Sequence, residues 1–187
     1  MNAPNFLRHG FSILSVFTTI SLLAGCGAPK LPEPSVSVDQ LAGLAYGPTS
    51  EQFEEPAGVK VAVSAARLDD EWTVIRGIYT PTEAGYHLYS KDMPPEGIDE
   101  TGRPTLLTAN GGDVIQIGSV LADKEPHDFT QYGVTLPVYP EGPVTLYRLI
   151  RINPGATSVS VALTYMSCSA ELCNMPVEGS VVSVALP

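Results

Sequence analysis

The 187-residue chain is short of positive charge: Lys and Arg number 10 against 20 Asp and Glu, a formal net charge of -10. Phosphate backbones are bound through basic surfaces, so this balance argues against a nucleic-acid partner and for a soluble, self-repelling surface. Also missing are a nucleophile elbow, a phosphate-binding loop and a zinc-type His/Glu pair, so hydrolase and nucleotide chemistry find no support. No stretch has the periodicity of an amphipathic helix of three turns. Tryptophan occurs once and cysteine three times. An odd cysteine count in an exported chain leaves one thiol to be explained by something other than an internal disulfide. What remains is enough residues for one domain with a real core and some tail, and too few for two.

The amino terminus assigns the odd cysteine. Residues 1–10 carry Arg8 and His9 and no acid, and the apolar run from Phe11 to Leu23 has the length of a signal-peptide core. It falls short of the roughly 20 apolar residues of a membrane span. Leu23-Ala24-Gly25-Cys26 closes the run and resembles the bacterial lipobox, in which two small residues fit a peptidase cleft and the cysteine sulfur takes a diacylglycerol. The resemblance implies removal of residues 1–25 and a lipid anchor on Cys26. Gly27 stands where many enteric lipoproteins carry the aspartate that retains them in the inner membrane, which favours the outer membrane. Residues 26–58 are rich in Ser, Gly, Pro and Glu, a composition that predicts a flexible, partly extended tether. The expected location is a bacterial membrane surface facing the periplasm.

From Val59 the apolar residues recur at period two, as in Val59–Val63, Trp72–Ile78 and Val114–Val120. Further strands are expected at Tyr86–Ser90, Thr105–Thr108, Val144–Ile152, Val159–Tyr165 and Val181–Leu186. Turn signals such as Pro94-Pro95-Glu96-Gly97, Asn110-Gly111-Gly112-Asp113 and Asn153-Pro154-Gly155 separate them. About eight short strands in residues 59–187 predict an all-β domain, an immunoglobulin-like antiparallel sandwich.

The remaining cysteines lie in Tyr165-Met166-Ser167-Cys168-Ser169-Ala170-Glu171-Leu172-Cys173-Asn174-Met175-Pro176. In an oxidising compartment they are expected to form a disulfide across a hairpin-like turn. As a staple the pair is poorly placed, since closing a loop of about six residues stabilises by only about 2 kcal/mol, against nearly 5 for about 100 residues. Spacing alone leaves two readings open, exchange chemistry and a structural bond in a binding or structural lipoprotein. A third follows from Met166-x-Cys168 and Cys173-x-Met175, whose alternation could bring four soft sulfur ligands to one Cu(I) ion. No Lys, Arg or His lies between Ala156 and Pro187, and Glu171 sits between the cysteines, so nothing nearby in sequence lowers a thiol pKa. His87 and His127 read as a strand and a loop residue, and Trp72, Tyr79, Tyr86 and Tyr89 as core and rim aromatics.

The cysteine segment resembles the active-site segment of the amino-terminal periplasmic domain of the thiol:disulfide interchange protein DsbD. In that family a Tyr-Gln-x-Cys strand end is followed by a short loop, a second Cys and a proline-containing stretch. Gly85-Tyr86-His87-Leu88-Tyr89 followed by Pro94-Pro95 is similar to the family's Gly-Trp-His-hydrophobic-Tyr strand. Leu136-Pro137-Val138-Tyr139 through Val144-Thr145-Leu146 is similar to its next central stretch, so the likeness spans about Trp72 to Leu186. It implies an immunoglobulin-like fold and a redox shuttle that passes reducing equivalents from a membrane or thioredoxin-like donor to periplasmic acceptors. Cys173 matches the cysteine that forms mixed disulfides with partners, and Cys168 the one that resolves them. The chemistry rests on sulfur, with no cofactor or metal expected. The resemblance also implies an aromatic cap over the pair, for which Asp128, Phe129 and Tyr132 in Pro126–Tyr132 are the candidate segment. Met166-Ser167 and Asn174-Met175 depart from the family pattern. The chain ends at Pro187 without a transmembrane bundle or thioredoxin-like domain, so either its electron donor is a separate membrane protein, as the shuttle reading expects, or it has none.

Overall fold

The computed structural model describes residues 30–131 and 133–187. Alternating β-branched and aromatic residues form strands β1 (Ser50–Glu54), β2 (Val59–Arg67), β3 (Thr73–Pro81), β4 (His87–Leu88), β5 (Leu106–Asn110) and β6 (Val114–Ala122). They continue as β7 (His127–Gln131), β8 (Val134–Val138), β9 (Val144–Ile152), β10 (Ser158–Tyr165), β11 (Ser167–Cys168) and β12 (Val177–Ala185). A five-stranded sheet in the order β1-β2-β3-β9-β6 packs on a three-stranded sheet, β12-β10-β5. Every pairing in the two sheets is antiparallel, as the expected sandwich requires.

One cluster of buried side chains fills the space between them, including Val61, Val63, Ile75, Leu146 and Ile150 from the larger sheet and Leu107, Val161, Leu163 and Val184 from the smaller. Each aliphatic side chain taken fully out of water contributes about 1.5–3 kcal/mol. Tyr79 ties the layers together: its ring meets Tyr165 edge-on at 5.7 Å and its hydroxyl donates to the Leu106 carbonyl at 2.7 Å. Burial holds that hydroxyl well above the usual phenol range, so it remains a donor.

The expected flexible tether is corrected by the structure. Cys26 to Pro29 lie outside the described residues, but residues 30–58 are built onto the larger sheet. The Leu31 amide donates to Gln116 Oε1 at 3.0 Å, and Gln116 Nε2 donates back to the Leu31 carbonyl at 2.9 Å. Glu33 accepts from the Ser119 amide at 2.8 Å and from its hydroxyl. Helix α1 (Val38–Ala42) opens on a capping box of Ser37 and Gln40 and places Leu41 in a cluster with Trp72, Val74, Tyr147 and Leu149. The Arg76 guanidinium lies 3.7 Å over the Tyr46 ring, and β1 then pairs with β2 from Ser50↔Val63 to Glu54↔Val59. The Pro, Ser and Gly content conceals the reason. Val36, Val38, Leu41, Leu44 and Tyr46 are few, yet all pack on one apolar patch of the sheet.

Two poles result, about 26 Å apart along the nine residues of β2. One holds Leu31, the 68–72 turn and the Arg151–Glu71 ion pair at 2.9 Å. At the other, beside Pro56, Ala57 and Gly58, sits the cysteine turn.

Candidate functional site

β10 shifts register against β12 between Leu163 and Tyr165, where it ends, and beyond it Ser167 pairs with Leu88 and Cys168 with His87 of β4. Cys168 and Cys173 are disulfide-bonded. Ser169 shapes the turn between them: its hydroxyl oxygen accepts from the Glu171 and Leu172 amides at 3.2 and 3.0 Å, and its own amide donates to the Leu172 carbonyl at 2.8 Å. The two departures from the family pattern support one another, because Asn174 Nδ2 donates to the Ser167 hydroxyl at 3.0 Å and the Ser167 hydroxyl donates to the Ala57 carbonyl at 3.0 Å. Gly58, at φ +61, leaves room for this floor; a Cβ there would lie 2.4 Å from Asn174 Nδ2.

The two sulfurs have unequal surroundings. Cys168 is fully buried in a cluster with Tyr89, Met93, Leu136 and Val138, and Cys173 lies at its partly buried margin. Flanking Cys173 on the outside are Leu172, 61% exposed, and Met175, 66% exposed. The Tyr89 hydroxyl donates to Cys168 Sγ at 2.9 Å, so the buried sulfur is met by a neutral donor. The same hydroxyl lies 3.3 Å from Gln131 Oε1, and Gln131 Nε2 donates to the Ser169 carbonyl at 2.7 Å and lies 3.9 Å from Cys173 Sγ.

His87 is buried beside this network, its ring 5.6 Å from Tyr89 and 4.8 Å from Phe129. Burial pushes its imidazole below the ordinary histidine range; His127 adds to the shift and Glu141 opposes it. At neutral pH it is therefore uncharged and gives the pair no cationic neighbour. A hydroxyl within hydrogen-bond reach of a sulfur can take over part of that task, by donating to a thiolate when one forms.

The cap segment is a hairpin rather than a loop. β7 and β8 pair from His127↔Val138 to Gln131↔Val134, with Gly133 at φ +82 giving the tight turn the positive φ it needs. Phe129 packs onto the sulfur cluster. Asp128 is exposed and lies outside that cluster, and Tyr132 is outside the described residues. Strand alternation puts Phe129 and Gln131 on one face and Asp128 on the other. That alternation is the signal available for Gln131, which the sequence reading passes over once the segment is taken as a loop. Tyr89, read as a core aromatic, is buried as expected and also touches the pair.

The copper arrangement is not assembled. Met175 is largely exposed whereas Cys168 is wholly buried, and the two cysteine sulfurs are bonded to each other. Among the described residues no group of three or more His, Cys, Asp or Glu side chains is placed to hold a metal.

No protein-family model matches the chain, and no curated protein matches it. Solved structures do. The N-terminal periplasmic domain of ScsB from Proteus mirabilis superposes with a TM-score of 0.51 at 12% identity, over 74% of this chain and 50% of that one. The DsbD n-terminal domain of Neisseria meningitidis, crystallised in the reduced form, gives 0.44 at 13% identity, over 71% of this chain and 89% of that one. This chain spans about half the length of the ScsB chain it matches. At these identities the likeness is one of fold alone, shared with the N-terminal periplasmic domain of ScsB.

Proposed function

We propose that the chain is an extracytoplasmic thiol-disulfide exchange domain in which Cys173 reacts with partner proteins and Cys168 resolves. The observation that carries the proposal is the unequal exposure of two bonded sulfurs on one turn, the outer one rimmed by exposed Leu172 and Met175. An incoming thiolate must approach along the S–S axis, which leaves the buried sulfur as the leaving group. When a donor thiolate attacks Cys173 Sγ, a donor–Cys173 bond forms, the Cys168–Cys173 bond breaks and the electron pair departs on Cys168. The donor's second thiolate then attacks its own sulfur and expels Cys173. The donor is oxidised to a disulfide, and the pair takes up two protons as it becomes a dithiol. Delivery to an acceptor disulfide is the same sequence reversed.

The partners this reading calls for are thioredoxin-like proteins and a membrane electron donor. Lipidation of Cys26 would hold the domain at a bacterial membrane facing the periplasm, with the outer membrane favoured. Five residues span at most about 18 Å, so an acyl chain on Cys26 would place the membrane near the Leu31 pole. The cysteine turn sits at the opposite pole, and under that anchoring it would face the aqueous side. The organisation proposed is a leader over residues 1–25, an anchor at Cys26, and a folded unit that begins by residue 30 rather than at 59.

The test is electron transfer from the reduced chain to an oxidised thioredoxin-like protein, followed by thiol alkylation and gel shift. Transfer within seconds to minutes at micromolar concentrations is expected. Replacing Leu172 and Met175 together by Glu should slow it at least tenfold, because apolar anchors beside the reacting sulfur carry much of a docking energy. The thermal midpoint should stay nearly unchanged, since both side chains are on the surface. No transfer by the wild-type chain would leave the disulfide with a structural role only.

A further inference from the structure

We infer that Gln131 is a positioning residue that sets the redox balance of the pair by stabilising its oxidised form; the inference deepens the exchange reading and rests on it. The amide orientation is fixed by Nε2, which donates to the Ser169 carbonyl at 2.7 Å inside the cysteine turn. Oε1 therefore faces the Tyr89 hydroxyl, at 3.3 Å, while that hydroxyl also lies 2.9 Å from Cys168 Sγ. One proton is thus shared between two acceptors of unequal and changing strength. A disulfide sulfur is a weak acceptor and an amide carbonyl a good one, so in the oxidised pair Gln131 supplies the better partner for a hydroxyl that is wholly buried. When the bond breaks the electron pair departs on Cys168, and at a pH where that sulfur stays ionised the thiolate is the stronger acceptor and the hydroxyl turns to it. Gln131 is 3% exposed, and its nitrogen lies 3.9 Å from Cys173 Sγ, so one side chain spans the turn, the resolving sulfur's donor and the outer sulfur.

Gln131 thus acts through Tyr89 and Ser169 rather than on a partner. Both of its arms favour the disulfide: the carbonyl arm gives the Tyr89 hydroxyl an amide acceptor while the sulfur is a poor one, and the nitrogen arm pins the turn that the disulfide closes. The position on β7 also couples this network to the cap, because Phe129 two residues earlier lies on the same face.

The test is the equilibrium of the wild-type and variant chains with dithiothreitol, read by alkylation of the reduced fraction. Gln131→Met keeps most of the volume and removes both arms; the dithiol should be favoured about tenfold, the size expected for losing a buried hydrogen bond, equivalent to about 30 mV. Gln131→Glu keeps an acceptor for Tyr89 and loses the donor to Ser169, so its shift should be smaller, and it carries the test if the methionine variant fails to fold. In a Tyr89→Phe background the Gln131→Met shift should shrink, because the carbonyl arm has no hydroxyl left to serve. An unchanged dithiothreitol equilibrium in both variants, or an equal shift with and without the Tyr89 hydroxyl, would overturn the inference. The equilibrium needs no protein partner. Failure of the exchange reading would appear separately, as absent transfer to thioredoxin-like proteins with the Gln131 shift intact.

Discussion

Replacing Cys168 by alanine is expected to stop turnover at the mixed disulfide and leave Cys173 covalently joined to its partner. The geometry gives the direction. Cys168 is buried and Cys173 lies at the margin, so on the proposed reading the single-cysteine variant keeps the reacting thiol and loses the resolving one. In an oxidising extract containing thioredoxin-like proteins, reducible adducts of the variant should accumulate, and its multiple-turnover exchange should fall at least a hundredfold. The reciprocal Cys173→Ala variant should form few adducts, because Cys168 is wholly enclosed by Tyr89, Leu136 and Val138 among others. The loop closed by the disulfide is short, so its loss should cost only about 2 kcal/mol of stability and both variants should fold. Adducts formed equally by the two variants would contradict the assignment of roles.

Leu41→Ala is expected to destabilise the domain by about 2–5 kcal/mol, the range for truncating a fully buried leucine. Leu41 is 0% exposed and packs with Trp72, Val74, Tyr147 and Leu149 on the outer face of the larger sheet. Urea unfolding followed by the fluorescence of Trp72, which sits in that same cluster, reads both the stability and the local packing. A free tether would tolerate the change within about 0.5 kcal/mol. The outcome therefore separates a domain that starts at residue 59 from one that has wrapped residues 30–58 into its fold.

The fold is most legible in the sequence where two buried faces impose a strict pattern. Val144–Ile152 reads with the bounds that β9 has, because it is a central strand whose neighbours on both sides bury its apolar residues. Residues 30–58 mislead for the opposite reason: their apolar residues are sparse, and the partner surface that makes them adhere is supplied by strands far along the chain. The β7–β8 hairpin is concealed by its short strands, the first of them polar and the second carrying Pro137. At the site, the cysteine pair is legible as a pattern, and Phe129 belongs to the segment proposed as a cap. The hydrogen-bond network is not, since Tyr89 and Cys168 are 79 positions apart and Gln131 and Ser169 are 38. Such pairs exist only once β4, β7 and β11 have been brought to one end of the sandwich.

The central claim is that the Cys168–Cys173 bond cycles, and its reduction potential tests that most directly. Equilibration of the wild-type domain with graded dithiothreitol or glutathione should give a value between about -300 and -180 mV, a window that takes in thioredoxin and protein disulfide isomerase. A value below about -300 mV, the range of disulfides that resist reduction, would contradict the account and leave the bond as a clasp on the turn.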